Sequence, residues 1–366
     1  MFEAELRDKN GDLKKMLTDK QVSSWEYLRV GGCGQADVIT PFKIGGDFDN
    51  ALAAGDELRV KINDQLRYSG KLLKVKRIIR SGEEGINLTF YGYISELSDV
   101  NVNETYEGME ISDIIKDILD NYVVGVKKIT YNDSDIEETN FSVASVVFNH
   151  DALSAIKFLA DLAGDFEWGV DRNKSFYFKQ RDTNVRRTYS IGREIYEYEE
   201  DEDHESVKNV INVFGANSSV VPLATINSAG SVLVFGRKET NIFESSIVES
   251  SDANRLGLVT VKNMDNKIRQ IQVKMKQDDY FVESSHPLGA TTIVLEPFRS
   301  PEKYGHNFKY GQNKKYGSLK RDQISAIRYT MVGGGMDILL VVSQDIANMG
   351  DQQKQVELQI KDLQRR

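Results

Sequence analysis

The chain has 366 residues, of which 40% are hydrophobic and 28% charged, a composition typical of a soluble globular protein with room for about two to four domains. Its net charge of −9 argues against a dedicated nucleic-acid binder, because that function needs a basic surface. The single cysteine, Cys33, excludes an intramolecular disulfide, and the four histidines lack the spacing of a helical metal-ligand pair. No apolar run approaches the ~20 residues of a membrane-spanning helix, and the acidic start is unlike a signal peptide, so we expect synthesis in a cytoplasm without a membrane-spanning segment.

Residues 1–103 are predicted to form a β domain. Apolar and polar residues alternate over 57–62, and strand-like runs follow at 72–80 and 86–93. Pairs of turn residues such as Gly45-Gly46 separate these runs. Many short strands at this spacing are typical of a sandwich or a barrel.

Residues 104–185 are predicted to form a small α+β unit. Isoleucines at 111, 114, 115 and 118 have helical spacing, and a second helix is expected from about Asp151 to Gly164. An alternating segment at 166–170 then turns and returns over 175–179, which is the pattern of a β-hairpin.

From 186 to 344 the sequence is again mainly strand-like. Runs at 207–215 and 269–275 predict strands, and a closing hairpin is expected over 324–342. Residues 296–321 lack periodicity and predict a long loop, which in proteins is usually functional or mobile.

The last segment, 345–366, predicts a short C-terminal helix with heptad spacing. A parallel coiled coil is our preferred interpretation, and its mixed Ile, Val and Leu positions favour a trimer; a helix packed on its own domain or a frayed end is the alternative. The residues predicted for the trimer seam are Ile346, Met349, Gln353, Val356, Ile360 and Leu363.

The sequence contains no motif of nucleotide binding or nucleophilic catalysis, and we predict no catalytic residue, no cofactor and no metal. We expect the glycines of 31–34 to serve a sharp turn or bulge that needs positive φ, rather than a phosphate loop. Cys33 is expected to be a small buried apolar residue rather than a nucleophile. The acidic run 197–205 favours a solvated connector, with cation binding as the weaker alternative.

The loop 296–321 mixes aromatic and basic residues. This composition is typical of a protein–protein contact; an ordinary solvent loop or a site for nucleic acid or sugar is the alternative. The predicted contact residues are Tyr304, Phe308, Tyr310, Tyr316 and Arg321.

Two segments, taken in order, resemble the tail-hub family of tailed phages, prophages and contractile injection systems. The first is 25–34, which contains Trp25 and the glycines; the second joins the helices at 111–119 and 152–164 to the hairpin that contains Trp168. The order of a β domain, an α+β insert, a β return and a C-terminal tail extends the resemblance over essentially the whole chain. We expect Trp25 and Trp168 to anchor hydrophobic cores.

The resemblance implies a β-rich α+β fold with two tube-like β-barrel domains, an inserted α+β domain and a short C-terminal helix. The first barrel would be 1–103, the insert 104–205 with its remainder at 241–323, and the second barrel 206–240 with 324–344.

The resemblance also implies a function in the virion. Three chains would form a homotrimeric ring at the distal end of the tail, with the tail-tube protein on one side and a tip fibre or spike protein on the other. DNA would pass through the lumen without specific binding. Two other functions stay open from the sequence: a tail-associated cell-wall hydrolase (endopeptidase or glycosidase), and a carbohydrate-binding tail protein that recognises the host surface.

Overall fold

A computed structural model of the chain describes residues 2–80, 83–182, 185–190, 194–216, 220–276, 291–295, 319–332 and 335–343. All structural statements below concern these residues. The predicted coil 345–366 lies outside them, as does most of the predicted loop 296–321.

The fold is β-rich with a few helices, as the sequence predicted. The strands up to the first helical unit are β1 (Phe2–Arg7), β2 (Leu13–Leu17), β3 (Val22–Leu28), β4 (Gly31–Thr40), β5 (Glu57–Ile62), β6 (Gln65–Arg80), β7 (Glu83–Tyr91) and β8 (Asn101–Glu107). The middle strands are β9 (Thr130–Ile136), β10 (Ser145–Asp151), β11 (Phe166–Val170), β12 (Ser175–Gln180), β13 (Val185–Ser190), β14 (Ile195–Asp203), β15 (Val210–Phe214), β16 (Ala224–Asn227) and β17 (Glu239–Phe243). The last strands are β18 (Ile268–Lys276), β19 (Thr291–Leu295), β20 (Leu319–Val332) and β21 (Gly335–Ser343).

Five α-helices lie among the strands of the described residues. They are α1 (Asp47–Ala51), α2 (Ile111–Ile118), α3 (Ala152–Ala163), α4 (Ala229–Phe235) and α5 (Ser250–Met264), with a 3₁₀ turn at Tyr93–Asp99 and a π turn at Leu119–Val123. At the start of α3 the Asp151 carboxylate accepts a hydrogen bond from the Ser154 amide, and α3 ends at Gly164, whose φ is +92°. Both predicted helices and the hairpin β11–β12 are confirmed.

One long sheet connects the beginning of the chain to its end. Its strands follow the order β14-β18-β21-β20-β3-β4-β7-β6-β5-β1-β2, and each neighbouring pair is antiparallel. The first part of β6 pairs with β5 through Lys71, and the remainder pairs with β7. The two pairings overlap at Lys71, which lies opposite Glu57 of β5 and Tyr91 of β7, and a register shift between Leu72 and Lys74 then interrupts the pairing with β7.

A single hydrophobic core joins residues from both ends of the sheet. It contains apolar residues of β1, β3 to β7, β18, β20 and β21. At its centre the ring of Trp25 stacks on that of Tyr329, with 5.2 Å between the ring centroids. Trp25 is fully buried, which confirms its predicted place in a core.

The inserted part of the chain has a second core. Isoleucines of α2 and the apolar side of α3 pack there with the hairpin that contains Trp168, and that tryptophan is buried as predicted. The three-stranded sheet β16-β15-β17 adds Ile211 and Val213 to the same core, and α5 packs against it.

Two expectations about the later strands are corrected. Residues 206–240 were assigned with 324–344 to one barrel, but β15 pairs with β16 and β17, whereas β20 and β21 pair with β3 and β18. The acidic run 197–205 is not a connector, since residues up to Asp203 form β14. This strand tolerates its charge because the ammonium groups of Lys274 and Lys267 in and beside β18 pair with Glu197 and Glu202.

Three glycines allow the insert to join the first β unit by direct backbone pairing. Gly169 and Val170 of β11 lie parallel to Gly31 and Gly32 of β4. A Cβ atom on Gly32 would lie 2.0 Å from the Val170 carbonyl oxygen, and one on Gly169 would lie 2.5 Å from the Gly31 carbonyl carbon. Gly31 and Gly32 also have positive φ, which confirms the expected role of these glycines. We call this contact the glycine junction.

We predict that Gly32→Ala lowers the free energy of unfolding by more than about 3 kcal/mol, because the added methyl group meets rigid backbone. The matched control is Gly45→Ala, since Gly45 also has positive φ but no atom lies within 4 Å of its added Cβ. The control should lose only about 1–2 kcal/mol, for the left-handed conformation alone. Urea unfolding of both variants measures the difference, and equal losses would contradict the steric role of the junction.

Candidate interaction surface

One side of the long sheet is largely polar over eight consecutive strands, from β14 to the second part of β6, with Leu339 and Val341 of β21 and Ile39 of β4 as its apolar members. Residues directly opposite each other in neighbouring strands lie on the same side of a sheet, so the register defines this surface. We call it the polar face. It includes Lys74, Lys76, Asn87, Thr89, Gln35, Asp37, Ser24, Glu26, Arg328, Thr330, Gln272, Lys274, Glu197 and Glu199.

In the middle of the polar face, charged groups are satisfied by their neighbours. The Arg328 guanidinium donates through Nε to Glu26 Oε1 at 2.7 Å, across the β3–β20 pair. Asp37 accepts hydrogen bonds from Gln35 Nε2 at 2.8 Å and from Thr89 Oγ1 at 3.1 Å. These charged groups in the middle of the face are therefore already engaged by neighbouring side chains of the sheet.

Sequence reasoning missed this face as a unit. Its local signal is present, since Gln35, Asp37 and Ile39 alternate with the buried Ala36 and Val38. The sequence does not tell which strands stand side by side, so it cannot show that these separate polar rows form one surface.

A buried charged cluster lies beside the glycine junction. Arg29 follows β3 and is almost fully buried, and the Tyr177 hydroxyl donates to its carbonyl oxygen at 3.1 Å. Burial lowers the pKa of Arg29 to about 9, and the nearby charge of Arg181 acts in the same direction. Burial raises the pKa of Glu167 in β11 to about 7, although Arg29 and Arg181 oppose the shift. Glu167 Oε2 is buried without a hydrogen-bond partner among the described residues, which favours the protonated carboxyl.

Cys33 is buried in the first core, as predicted, and burial raises the pKa of its thiol to about 12. The thiol therefore stays protonated at neutral pH and is a poor nucleophile. In the described ranges, no group of three or more His, Cys, Asp or Glu side chains is arranged to hold a metal ion. No helix among those residues has the length and apolar character to cross a membrane.

The residues predicted from the sequence as contacts fall mainly outside the described part of the chain. This applies to the coil residues Ile346, Met349, Gln353, Val356, Ile360 and Leu363 and to the loop residues Tyr304, Phe308, Tyr310 and Tyr316. Arg321 was assigned to the loop, but its backbone lies in β20, opposite Ile293 of β19. The strand β20, which pairs with β19, thus begins at Leu319, two residues before the predicted end of the loop at 321.

Comparison with known proteins identifies the fold. No protein-family model and no curated protein matches the chain. Among solved structures, the 43 kDa tail protein of prophage MuSo2 from Shewanella oneidensis has a TM-score of 0.65 at 10% identity, over 93% of this chain and 98% of that one. The tail protein from Neisseria meningitidis MC58 has a TM-score of 0.64 at 10% identity, over 94% and 96%. Prophage tail protein gp18 from Listeria monocytogenes EGD-e has a TM-score of 0.55 at 13% identity, over 93% and 94%.

These three likenesses extend over nearly the full length of both chains. At 10–13% identity they concern the fold, and this chain has the fold of phage tail proteins. The resemblance inferred from the sequence is confirmed at that level.

We predict that Glu167→Gln reduces the pH dependence of stability. The folded-state pKa near 7 lies above the unfolded value of about 4.3, so Glu167 contributes stability below pH ~4.3 that is lost as the pH rises through ~7. Between pH 5 and 8 the free energy of unfolding should therefore fall more steeply in the wild type than in the variant. Urea unfolding at several pH values measures both slopes. Glu138→Gln, which changes an exposed carboxylate, should keep the wild-type slope; an unchanged slope in Glu167→Gln would contradict the assignment.

Proposed function

We propose that this protein is a structural tail hub. Three copies form a ring that adapts the sixfold tail tube to a threefold tip, and the polar face lines the channel through which DNA leaves. The observation that carries the proposal is the fold shared with three solved tail proteins over more than 90% of each chain.

The long sheet supports a ring built from two similar units per chain. The strands β3 to β7 belong to one unit and β14, β18, β20 and β21 to the other, and the β3–β20 pair joins them edge to edge. In this proposal each unit is a tube-like barrel, and the second barrel uses β14, β18, β20 and β21 in place of 206–240. Three chains then present six similar units to the tail tube.

The electrostatics of the polar face suit a channel wall. DNA carries one negative charge per ~1.7 Å of its axis, and proteins hold it by neutralising phosphates with lysine and arginine. In the middle of the polar face Arg328 is paired with Glu26, and Asp37 adds negative charge. The middle of such a wall offers few cations to phosphate, which favours passage over binding.

In this proposal the chain has no catalytic role. Its one cysteine is buried and protonated, and Glu167, which is partly buried, lies near the charges of Arg29 and Arg181 beside the glycine junction. The partners would be the distal tail or tail-tube protein on one side and a fibre or spike protein on the other, at the distal end of the tail. The segments 296–321 and 345–366 would supply contacts to them and to the other copies.

We predict a particle of three times the 41.4 kDa of one chain in sedimentation velocity. Val356→Glu should weaken this trimer at least tenfold, because it introduces a charge at a predicted seam position of the coil. Gln355→Glu introduces the same carboxylate one residue away from the seam and should leave the trimer intact.

A wild-type chain that stays monomeric at every concentration would contradict the hub proposal. Equal behaviour of the two variants would contradict only the coil. Imaging of ring particles by electron microscopy gives an independent measure of the threefold symmetry.

A further inference from the structure

The polar face ends at two sheet edges. On one side β14 pairs with β18 and with no second described strand. On the other side, residues 73–80 of β6 pair with β7 alone among the described strands. We call β14 the acidic edge and 73–80 of β6 the basic edge. An open edge presents unpaired backbone amides and carbonyls to another chain.

The two edges carry opposite charge on the same face. On the acidic edge, Glu199 and Asp201 lie opposite the neutral Gln272 and Gln270, and neither forms a salt bridge among the described residues, since Lys274 of β18 pairs with Glu197. On the basic edge, Lys74 and Lys76 lie opposite Thr89 and Asn87. Neither lysine has an ion-pair partner among the described residues, whereas other exposed lysines of the sheet, such as Lys274, have one.

Charge on an edge strand usually prevents aggregation, and each edge here repels a copy of itself. The two edges attract each other, however, so the same charges that forbid symmetric contacts favour a head-to-tail contact. Head-to-tail contacts between identical chains close into rings when the rotation between copies allows it.

The number of strands from one edge to the other is also compatible with a head-to-tail contact. Eight antiparallel strands run from β14 to β6, and the direction alternates at each step. Because eight is even, β14 of a second copy placed beside β6 with the polar face continuous runs antiparallel to it. The contact therefore repeats the geometry of every other pair in the path.

Exposed apolar side chains accompany the charges. On the basic edge Leu73 is 43% exposed and Ile79 is 74% exposed, and on the acidic edge Tyr196 is 50% exposed. A contact between the edges would remove part of this apolar surface from water, which adds a favourable contribution that does not depend on charge.

We propose that the acidic edge of one copy docks antiparallel along the basic edge of the next, with Glu199 and Asp201 facing Lys74 and Lys76. The partner is a second copy of this chain, and the contact joins consecutive subunits of the ring. The number of copies rests on the proposed function; the identity of the edges rests on the charges and strand directions above.

A charge swap tests the contact. The proteins compared are the wild type, K74E/K76E, E199K/D201K and the combination of all four substitutions. Each double variant places like charges at the contact and should weaken association at least tenfold. The fourfold variant restores opposite charges between copies and should regain association to within a few-fold of the wild type. Sedimentation velocity at low and high salt measures each association constant, and circular dichroism verifies folding.

The matched control for K74E/K76E is K9E/K20E, which makes the same change of net charge at two exposed lysines outside both edges. It should associate like the wild type. Equal weakening by this control, or a fourfold variant as dissociated as the double ones, would overturn the edge contact. Double variants that assemble normally would also overturn the edge contact, but they would not contradict the proposed ring. A wild-type chain that is monomeric throughout would remove the proposed function and this contact together.

Discussion

The pairing of β3 with β20 is the contact on which the rest of the fold depends. It joins residues about 300 positions apart in sequence, and it holds Trp25 against Tyr329 on the core side and Glu26 against Arg328 on the polar side. Closing so long a loop costs only slightly more entropy than closing one of half that length. The chain can therefore carry a complete inserted unit between these two strands, provided that their contact is strong.

The short segment between Trp25 and Gly34 contacts both the last hairpin and the inserted unit. Its first part pairs with β20, and its glycines pair with β11 of the insert. A side chain at Gly32 would collide with the Val170 carbonyl, so the insert is held at backbone distance from the sheet. This close approach buries Arg29 and partly buries Glu167, whose ionised forms lose hydration there. The backbone contact between β4 and β11 therefore explains both the glycines at 31, 32 and 169 and the shifted pKa values of Arg29 and Glu167.

Local features of this fold follow from the sequence, and pairing between distant strands does not. The isoleucine spacing of α2, the start of α3 near Asp151 and its end at Gly164 are local signals, and the structure has each of them where expected. Residues 207–215 and 269–275 look equally strand-like, and only β18 joins the closing hairpin. The alternation of apolar and polar residues in a strand shows which of its sides is buried, but it does not show which strand lies beside it. For this reason 206–240 was wrongly assigned to the second barrel. The polar face was missed for the same reason.

The acidic strand illustrates how a charge run changes meaning once its neighbours are known. From the sequence alone, 197–205 has the composition of a solvated connector. In the sheet, Tyr198 faces the core, Glu197 pairs with Lys274, and Glu199 and Asp201 lie opposite glutamines. A strand with this charge is stable at an edge, where one side remains in water, and would be costly in the middle of a sheet, where carboxylates of neighbouring strands would repel. The charges therefore select the position of the strand as well as its partners. In the middle of the polar face Glu26 pairs with Arg328, and Asp37 accepts hydrogen bonds from neutral side chains. Glu199 and Asp201 lie at one end of the face, and Lys74 and Lys76 lie at the other.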